Sequence, residues 1–422
     1  MILLLALSGT GFLVSISIAV FLVIMLLMVA VLLYAKKKLT PEGLVHLDIN
    51  SGEKVLEIEP GANILSTLSS NGVFLPSACG GGGTCGMCKC QVLEGGGEIL
   101  PTEVGFFSRR EQQHFWRLGC QVKVRNDMKI KIPEAVLGIK KWECEVVSNR
   151  NVASFIREFK VKLPAGENLV FQSGGYIQID VPKISVNFKD FLIEQEYRDE
   201  WDKFKMWDLQ MNNPESTYRA YSMANYPAEG NVIMLNIRIA TPPWDSARCG
   251  FARVNPGICS SYIFSLKPGD KVMMSGPYGE FHIKNTRREM IFIGGGAGMA
   301  PLRSHIFHLF KTEKTDRKVS YWYGARSKRE VFYEDEFRQI EKEFPNFTFN
   351  LALSEPKPED NWTGLTGFIH QVLFDQYLSK LEEPEEIEYY LCGPPMMNDA
   401  VLKLLYNLGV PDDMIAFDDF GG

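Results

Sequence analysis

The hydrophobic and polar positions of this chain follow four rhythms in succession, and each rhythm predicts a different kind of element. The opening segment has no polar rhythm: its first thirty-five residues carry no charged side chain, and Phe12 to Tyr34 reads FLVSISIAVFLVIMLLMVAVLLY. As a helix these twenty-three residues span roughly 35 Å, enough to cross a hydrocarbon core of about 30 Å. A soluble core helix would keep a polar face. A cleaved signal peptide would want a basic start, a shorter apolar core and a small-residue cleavage site. Residues 1–35 are therefore expected to be a transmembrane anchor. Lys36-Lys37-Lys38 follow directly, and the positive-inside rule places that end, and everything after it, in the cytoplasm.

The second rhythm has period two. VHLDI and KVLEIE alternate like strands joined by the turn Asn50-Ser51-Gly52. Asn63 to Ser70 then reads as a helix, a strand leaves Cys88, Thr102 to Trp116 reads as helical, and Leu118 to Val124 reads as a strand carrying Cys120. Together they predict a compact β-grasp domain over residues 43–135. From residue 136 to 285 short strands broken by turns (KWECEVVSN, EFKVKLP, YIQIDVP, NVIMLNIRIA, KVMMSGPYG) predict an antiparallel β-barrel. An aromatic and charged stretch at about 183–215 interrupts it as an insertion lying on the barrel. From 286 to 422 apolar strands alternate with helical patterns, which predicts a parallel sheet with ligands at the carboxyl ends of its strands. The fold class is thus multidomain, α/β plus β, with one N-terminal membrane helix.

Composition narrows the partners. The chain has 422 residues with 45 basic against 51 acidic side chains, a net charge of -6. No long basic block appears, which argues against nucleic acid. Nine cysteines in a chain of this length do not make a secreted disulfide scaffold, and thiolate chemistry implies a reducing compartment.

Four of those cysteines carry a pattern. Cys79, Cys85 and Cys88 stand as Cys-x5-Cys-x2-Cys, and Cys120 follows after thirty-one residues. A [2Fe–2S] cluster needs four thiolates, and a close triplet with a distant fourth is how ferredoxins supply them. The run Gly80-Gly81-Gly82-Gly83 fits, because a cluster loop brings backbone N–H groups near sulfur in dihedral regions that glycine visits cheaply. A zinc ribbon would pair two short knuckles, and Cys120 has no nearby partner cysteine. Cys90 is expected to pack on the strand, Cys144 and Cys249 to be buried, and the six histidines to be structural.

In the last segment, Gly294-Gly295-Gly296-Ala297-Gly298-Met299-Ala300-Pro301 follows the strand MIFI and opens a helix. There a pyrophosphate can approach backbone and rest on a helix N-terminus. Arg219-Ala220-Tyr221-Ser222 and Gly257-Ile258-Cys259-Ser260 precede it, and Cys392-Gly393-Pro394-Pro395-Met396 follows. This ordered set resembles the ferredoxin–NADP reductase superfamily over residues 136–422. The resemblance implies that Arg219 faces the pyrophosphate of FAD, Tyr221 stacks on the flavin and Ser222 hydrogen-bonds flavin N5. It implies that Gly257 and Ser260 offer a helix start to the same pyrophosphate. Gly296, Gly298, Pro301 and Gly393 belong, on the same basis, to the nicotinamide dinucleotide, and Cys392 lies beside the nicotinamide. An aromatic residue often closes the flavin ring in this superfamily. Phe420 matches that place, with Phe417 the competing assignment.

Taken whole, the chain resembles the F-subunit family of the sodium-translocating NADH:quinone oxidoreductases of the bacterial inner membrane. That implies a route from NADH to FAD, then single electrons to the cluster and on to membrane partner subunits that reduce ubiquinone. Hydride moves two electrons and a [2Fe–2S] cluster accepts one, so a flavin is the component able to connect them. A membrane helix without an ionisable residue carries no ion by itself. An anchored oxygenase reductase and a non-catalytic electron-carrier subunit are the alternatives. Preference for NADH over NADPH rests on the family resemblance, since no clear basic cluster for a 2′-phosphate is assignable near Tyr323-Gly324-Ala325-Arg326.

Overall fold

The computed structural model describes residues 2–39, 43–247 and 249–418. The chain divides into two compact units, Met1–Leu75 with Gly86–Leu137, and Pro76–Cys85 with Gly138–Gly422.

In the first unit the helix Ile2–Leu39 contains Val14–Tyr34, 21 residues long and apolar enough to cross a membrane, with no share of it buried. A five-stranded mixed sheet follows, in the order Lys54–Ile58, Val45–Ile49, Met128–Lys131, Lys89–Glu94, Trp116–Leu118. Val45–Ile49 runs parallel to Met128–Lys131 and antiparallel to Lys54–Ile58. The alternation read from the sequence is the alternation of burial, with Val45, Leu47 and Ile49 inside. The helix Ile64–Ser70 buries Ile64, Leu65 and Leu68, and the Asn63 side chain caps it by accepting from the Ser66 N–H at 2.8 Å.

Two local expectations fail in this unit. Residues 102–116 form only a 3₁₀ turn, Val104–Phe106, and a short helix, Arg109–Gln113. Ser108 and Glu111 make a capping box that restarts the helix there, and Phe115 at φ 61° ends it. Cys120 lies in a turn, because the strand that precedes it stops at Leu118.

The second unit holds a six-stranded antiparallel sheet in the order Thr217–Ser222, Tyr176–Val181, Lys271–Tyr278, Lys140–Ala153, Ile156–Lys162, Val232–Arg238. A bridge from Met223 to Leu235 joins its two outer strands and closes the barrel. Its core gathers Phe159, Val161, Ile177, Ile179, Leu235 and Met274. The inserted stretch leaves and returns through paired strands, Ile184–Asn187 and Gln210–Asn213. It carries a short helix, Arg198–Lys203, whose Trp201 is fully buried and donates its indole N–H to Ser154 O at 2.7 Å.

The same unit ends in a parallel sheet ordered Leu365–Thr366, Phe347–Leu353, Val319–Ala325, Met290–Gly295, Glu388–Cys392, Ile415–Asp418. Met290–Gly295 is buried along its whole length, as expected of a parallel strand covered on both faces. The strand order reverses beside it, since the following strand lies on one side and Glu388–Cys392 on the other. Such a switch point leaves a crevice at the carboxyl ends of the two strands.

Candidate functional site

Of the four cysteines of the motif, Cys79 and Cys85 lie on the segment grouped with the second unit, and their Sγ atoms are 3.3 Å apart. Gly80, Gly81 and Gly83 of this loop all have positive φ, which explains the glycine run. A Cβ at Gly80 would meet Arg219 Nη1 at 2.5 Å and Tyr218 O at 2.7 Å, so the loop backbone rests directly on the strand Thr217–Ser222. Partial burial raises the Cys79 thiol, but backbone N–H groups of Thr84, Cys85 and Gly81 and the Cys85 thiol more than offset it. The net effect brings Cys79 down to about 6. That donor set stabilises a thiolate, the form in which cysteine binds iron.

Cys88 and Cys120 belong to the first unit, both buried, with the Gly119 N–H donating to Cys88 O at 2.8 Å. Among the described residues no three His, Cys, Asp or Glu side chains gather as around a single ion. Cys90 is fully buried, and burial first, then Glu103, pushes its thiol up to about 12. It packs, as expected. Cys144 is also buried, but Cys249 is exposed in a turn at φ 48°, contrary to expectation. Its thiol lies 3.7 Å from Ser246 O.

In the barrel, Arg219, Tyr221 and Ser222 share the strand Thr217–Ser222. Arg219 Nη1 donates to Tyr218 O at 2.7 Å and to Thr217 Oγ1 at 3.0 Å, which holds the guanidinium at the strand. Burial, with Cys259 beside it, raises the Tyr221 phenol well above its ordinary range, and the two side chains hydrogen-bond. The two motifs of the barrel, 38 residues apart in the chain, are thereby adjacent in space. Gly257 opens the helix Ile258–Ser265, and a Cβ there would meet Ala240 Cβ at 2.5 Å. Ser260 Oγ accepts from the Ala240 N–H at 3.1 Å and donates to Gly257 O at 3.2 Å, pinning that turn. No acidic residue occupies the first turn. Free N–H groups, a positive dipole end and a neighbouring arginine suit a pyrophosphate.

At the switch point the turn Gly296–Gly298 joins the strand Met290–Gly295 to the helix Met299–Phe307. Gly296 has φ 55°. A Cβ on Gly298 would lie 2.0 Å from Cys392 O and 2.6 Å from Gly393 N, so the two strand ends meet with no room for a side chain. Pro301 sits in the first helical turn, where a missing N–H costs no intrahelical bond. Again no acidic side chain occupies that turn. Cys392 is fully buried at the end of Glu388–Cys392, in register with Gly294 on one side and Asp418 on the other.

Ser222 Oγ donates to Asp418 Oδ2 at 2.6 Å. This bond ties the last residue of Thr217–Ser222 to the last strand of the parallel sheet, a partnership that no spacing in the sequence announces. Phe420 lies outside the described residues, and Phe417 is half-exposed on Ile415–Asp418.

Comparison with known proteins matches three family models in chain order. They are a 2Fe-2S iron-sulfur cluster binding domain over residues 47–125, an oxidoreductase FAD-binding domain over 203–283 and an oxidoreductase NAD-binding domain over 292–403. The F subunit of the Na(+)-translocating NADH-quinone reductase of Pseudomonas aeruginosa (strain UCBPP-PA14) is 55% identical over 412 residues, 98% of this chain and 100% of that protein. The chain belongs to the F-subunit family of Na(+)-translocating NADH-quinone reductases. The F subunit of the Methylococcus capsulatus (strain Bath) reductase is likewise 55% identical, over 95% of this chain and 98% of its own.

Among solved structures, the ferredoxin reductase in carbazole 1,9a-dioxygenase is 26% identical, with a TM-score of 0.57 over 90% of this chain and 98% of that one. The Amycolatopsis cytochrome P450 reductase shares the fold at 23% identity, with a TM-score of 0.61 over 89% of this chain and 98% of its own. The cofactors of this family member are therefore FAD and a [2Fe–2S] cluster, with a nicotinamide nucleotide as substrate.

Proposed function

We propose that this chain is the electron-input subunit of a membrane sodium-pumping NADH:ubiquinone oxidoreductase. Near-complete coverage of the F-subunit relatives at 55% identity carries the reading. The order of the three matched domains agrees with it. When bound, FAD accepts a hydride and gives up electrons singly, which is what joins NADH to a one-electron cluster.

The residues of this chain supply the binding and the positioning. Arg219 and the N-terminus of Ile258–Ser265, opened by Gly257 and pinned by Ser260, would hold the flavin pyrophosphate. Tyr221 would lie against the flavin, with Ser222 presenting its hydroxyl at N5 and Phe420 covering the ring. The turn with Gly296 and Gly298, the helix start at Pro301, and Gly393 would hold the dinucleotide at the switch point. Cys392 would border the nicotinamide. Cys79, Cys85, Cys88 and Cys120 would ligate the cluster.

Residues 1–35 serve in this reading as a single-pass anchor in the bacterial inner membrane, with the remainder cytoplasmic. Residues 43–135, 136–285 and 286–422 serve as the ferredoxin, flavin and NADH domains. The partners are the other membrane subunits of the complex, through which electrons reach ubiquinone. Adding NADH to purified FAD-loaded protein should bleach the flavin absorbance within one turnover. No bleaching would overturn the assignment. Co-purification with membrane subunits, and not with an oxygenase, is the expected outcome from native membranes.

A further inference from the structure

The inserted lobe, residues 183–215, meets the loops that follow Val319–Ala325 and Phe347–Leu353, through Asp199 and Glu200. Val319–Ala325 is the immediate neighbour of Met290–Gly295, which carries the dinucleotide turn. In dinucleotide folds this strand end faces the adenosine ribose: a carboxylate there takes the 2′-hydroxyl of NADH, and an arginine accommodates the 2′-phosphate of NADPH. Four cations stand on or beside this end: Arg326, Lys328, Arg329 and Lys357. Arg326, Lys328 and Arg329 follow the strand within four residues, and the fold brings Lys357 to them from the loop after Phe347–Leu353.

Each of the four is already matched by a carboxylate. Arg329 Nη1 donates to both oxygens of Asp199, at 2.8 and 2.9 Å, and to Glu196 O at 3.0 Å. Glu200, only 8% exposed, lies 3.8 Å from Arg326 Nη2, 3.6 Å from Arg329 Nη2 and 3.9 Å from Lys357 Nζ. Glu330 adds a contact to Arg326 at 3.7 Å, and Lys328 pairs with Glu334. Asp199 and Glu200 sit on the helix Arg198–Lys203 of the insertion. The buried Trp201 on the same helix fixes that helix to the barrel core through its bond to Ser154 O.

We infer that this helix sets the nucleotide preference: Asp199 and Glu200 occupy Arg326 and Arg329, so that a 2′-phosphate meets neutralised cations and buried negative charge. NADH, with an uncharged 2′-hydroxyl, meets no such penalty. Asp199 and Glu200 are positioning residues that act through the two arginines. The inference rests on the proposed NADH oxidation at this switch point.

The test compares kcat/KM for NADH and NADPH, with ferricyanide as acceptor, in the full-length FAD-loaded protein and in D199N, E200Q and the double variant. In D199N/E200Q the NADH-to-NADPH ratio should fall by about tenfold or more, the worth of a released charge-assisted pair. The change should come through KM for NADPH, with kcat little moved. Adding R326A to the double variant should abolish the gain, which a general loosening of the fold would not explain. D199N alone replaces a carboxylate that is 60% exposed, so it should fold normally and shift the ratio about threefold. A ratio unmoved in D199N and in the double variant overturns the inference. Wild-type protein that oxidises neither nucleotide would instead overturn the proposed function.

Discussion

Ser222 and Asp418 are 196 residues apart in the chain and share a hydrogen bond of 2.6 Å, Ser222 Oγ donating to Asp418 Oδ2. The serine ends a strand of the barrel and the aspartate lies beside Cys392 in the parallel sheet. A single short bond therefore connects the edge of the proposed flavin site to the edge of the proposed nicotinamide site. Ser222 is buried, so this carboxylate orients its hydroxyl without competition from bulk water. Ser222→Ala should slow NADH-driven flavin reduction by about tenfold to a hundredfold, the effect of losing a bond to a charged group of about 1.5–3 kcal/mol. FAD content should stay at the wild-type level. Stopped-flow absorbance at the flavin band is the check, and an unchanged rate would remove Ser222 from the hydride step.

The thiolate assignment predicts that Cys85→Ala loses the cluster but keeps FAD and NADH-driven flavin reduction. Cys85 contacts Cys79 at 3.3 Å, while the flavin and nucleotide motifs lie on the barrel and the parallel sheet. EPR of the dithionite-reduced variant is the measurement, and a wild-type reduced-cluster signal would refute the ligand set.

Arg219→Ala should weaken FAD binding about ten- to hundredfold, the loss of one charge-assisted partner of a pyrophosphate. The strand itself should survive, because the Arg219 guanidinium bonds only locally, to that strand's own Thr217 and Tyr218. Titration of apo-protein with FAD measures the change directly. Equal affinity would make Arg219 a surface residue.

How far these parts were legible in the sequence depends on how local their signals are. The alternation of VHLDI and the turn glycines are carried by neighbours in the chain, and both appear where expected. The helix predicted over residues 102–116 failed because its hydrophilic face contained Glu103, which turns inward. Glu103 accepts from Arg117 Nε and Nη2 and from the Leu118 N–H, all buried. Nothing local distinguishes that glutamate from an exposed helical one. Asp418 escaped for a similar reason: its partner is Ser222, and only the folded sheet brings them together. The charge matching at Arg326 and Arg329 depends on an insertion more than a hundred residues earlier.

The same buried pair gives a stability prediction. Arg117 also donates to Gly96 O and Gly97 O, so it ties the loop after Lys89–Glu94 to the turn that leads to Cys120. Arg117→Ala leaves Glu103 buried without a counter-charge, a loss of about 3–5 kcal/mol. Thermal bleaching of the cluster absorbance in the whole protein should move to lower temperature. The pair replaced together, Glu103→Leu with Arg117→Met, should recover much of it, since no charge is then stranded. Equal midpoints for wild type and Arg117→Ala would show that the pair contributes nothing.

Cys392 is the most exacting residue to test, because its burial suits two roles. It is fully buried, in register with Gly294 and Asp418, and its carbonyl oxygen would stand 2.0 Å from any Cβ on Gly298. Its backbone thus shapes the crevice whatever its side chain does. If the thiol also borders the nicotinamide, Cys392→Ala opens space beside the hydride donor, and a displacement of about 1 Å can cost on the order of a hundredfold in rate. FAD should remain bound, and no covalent intermediate is expected. Cys392→Ser, closer in size, should recover part of the rate. A purely packing role predicts the reverse pattern: lower thermal stability, a larger penalty for the buried hydroxyl of serine than for alanine, and an unaltered reduction rate. Stopped-flow with NADH and with NADH deuterated at C4 distinguishes the two. A larger isotope effect in the alanine variant would show that hydride transfer itself has become slower, and an unchanged rate would return Cys392 to the core.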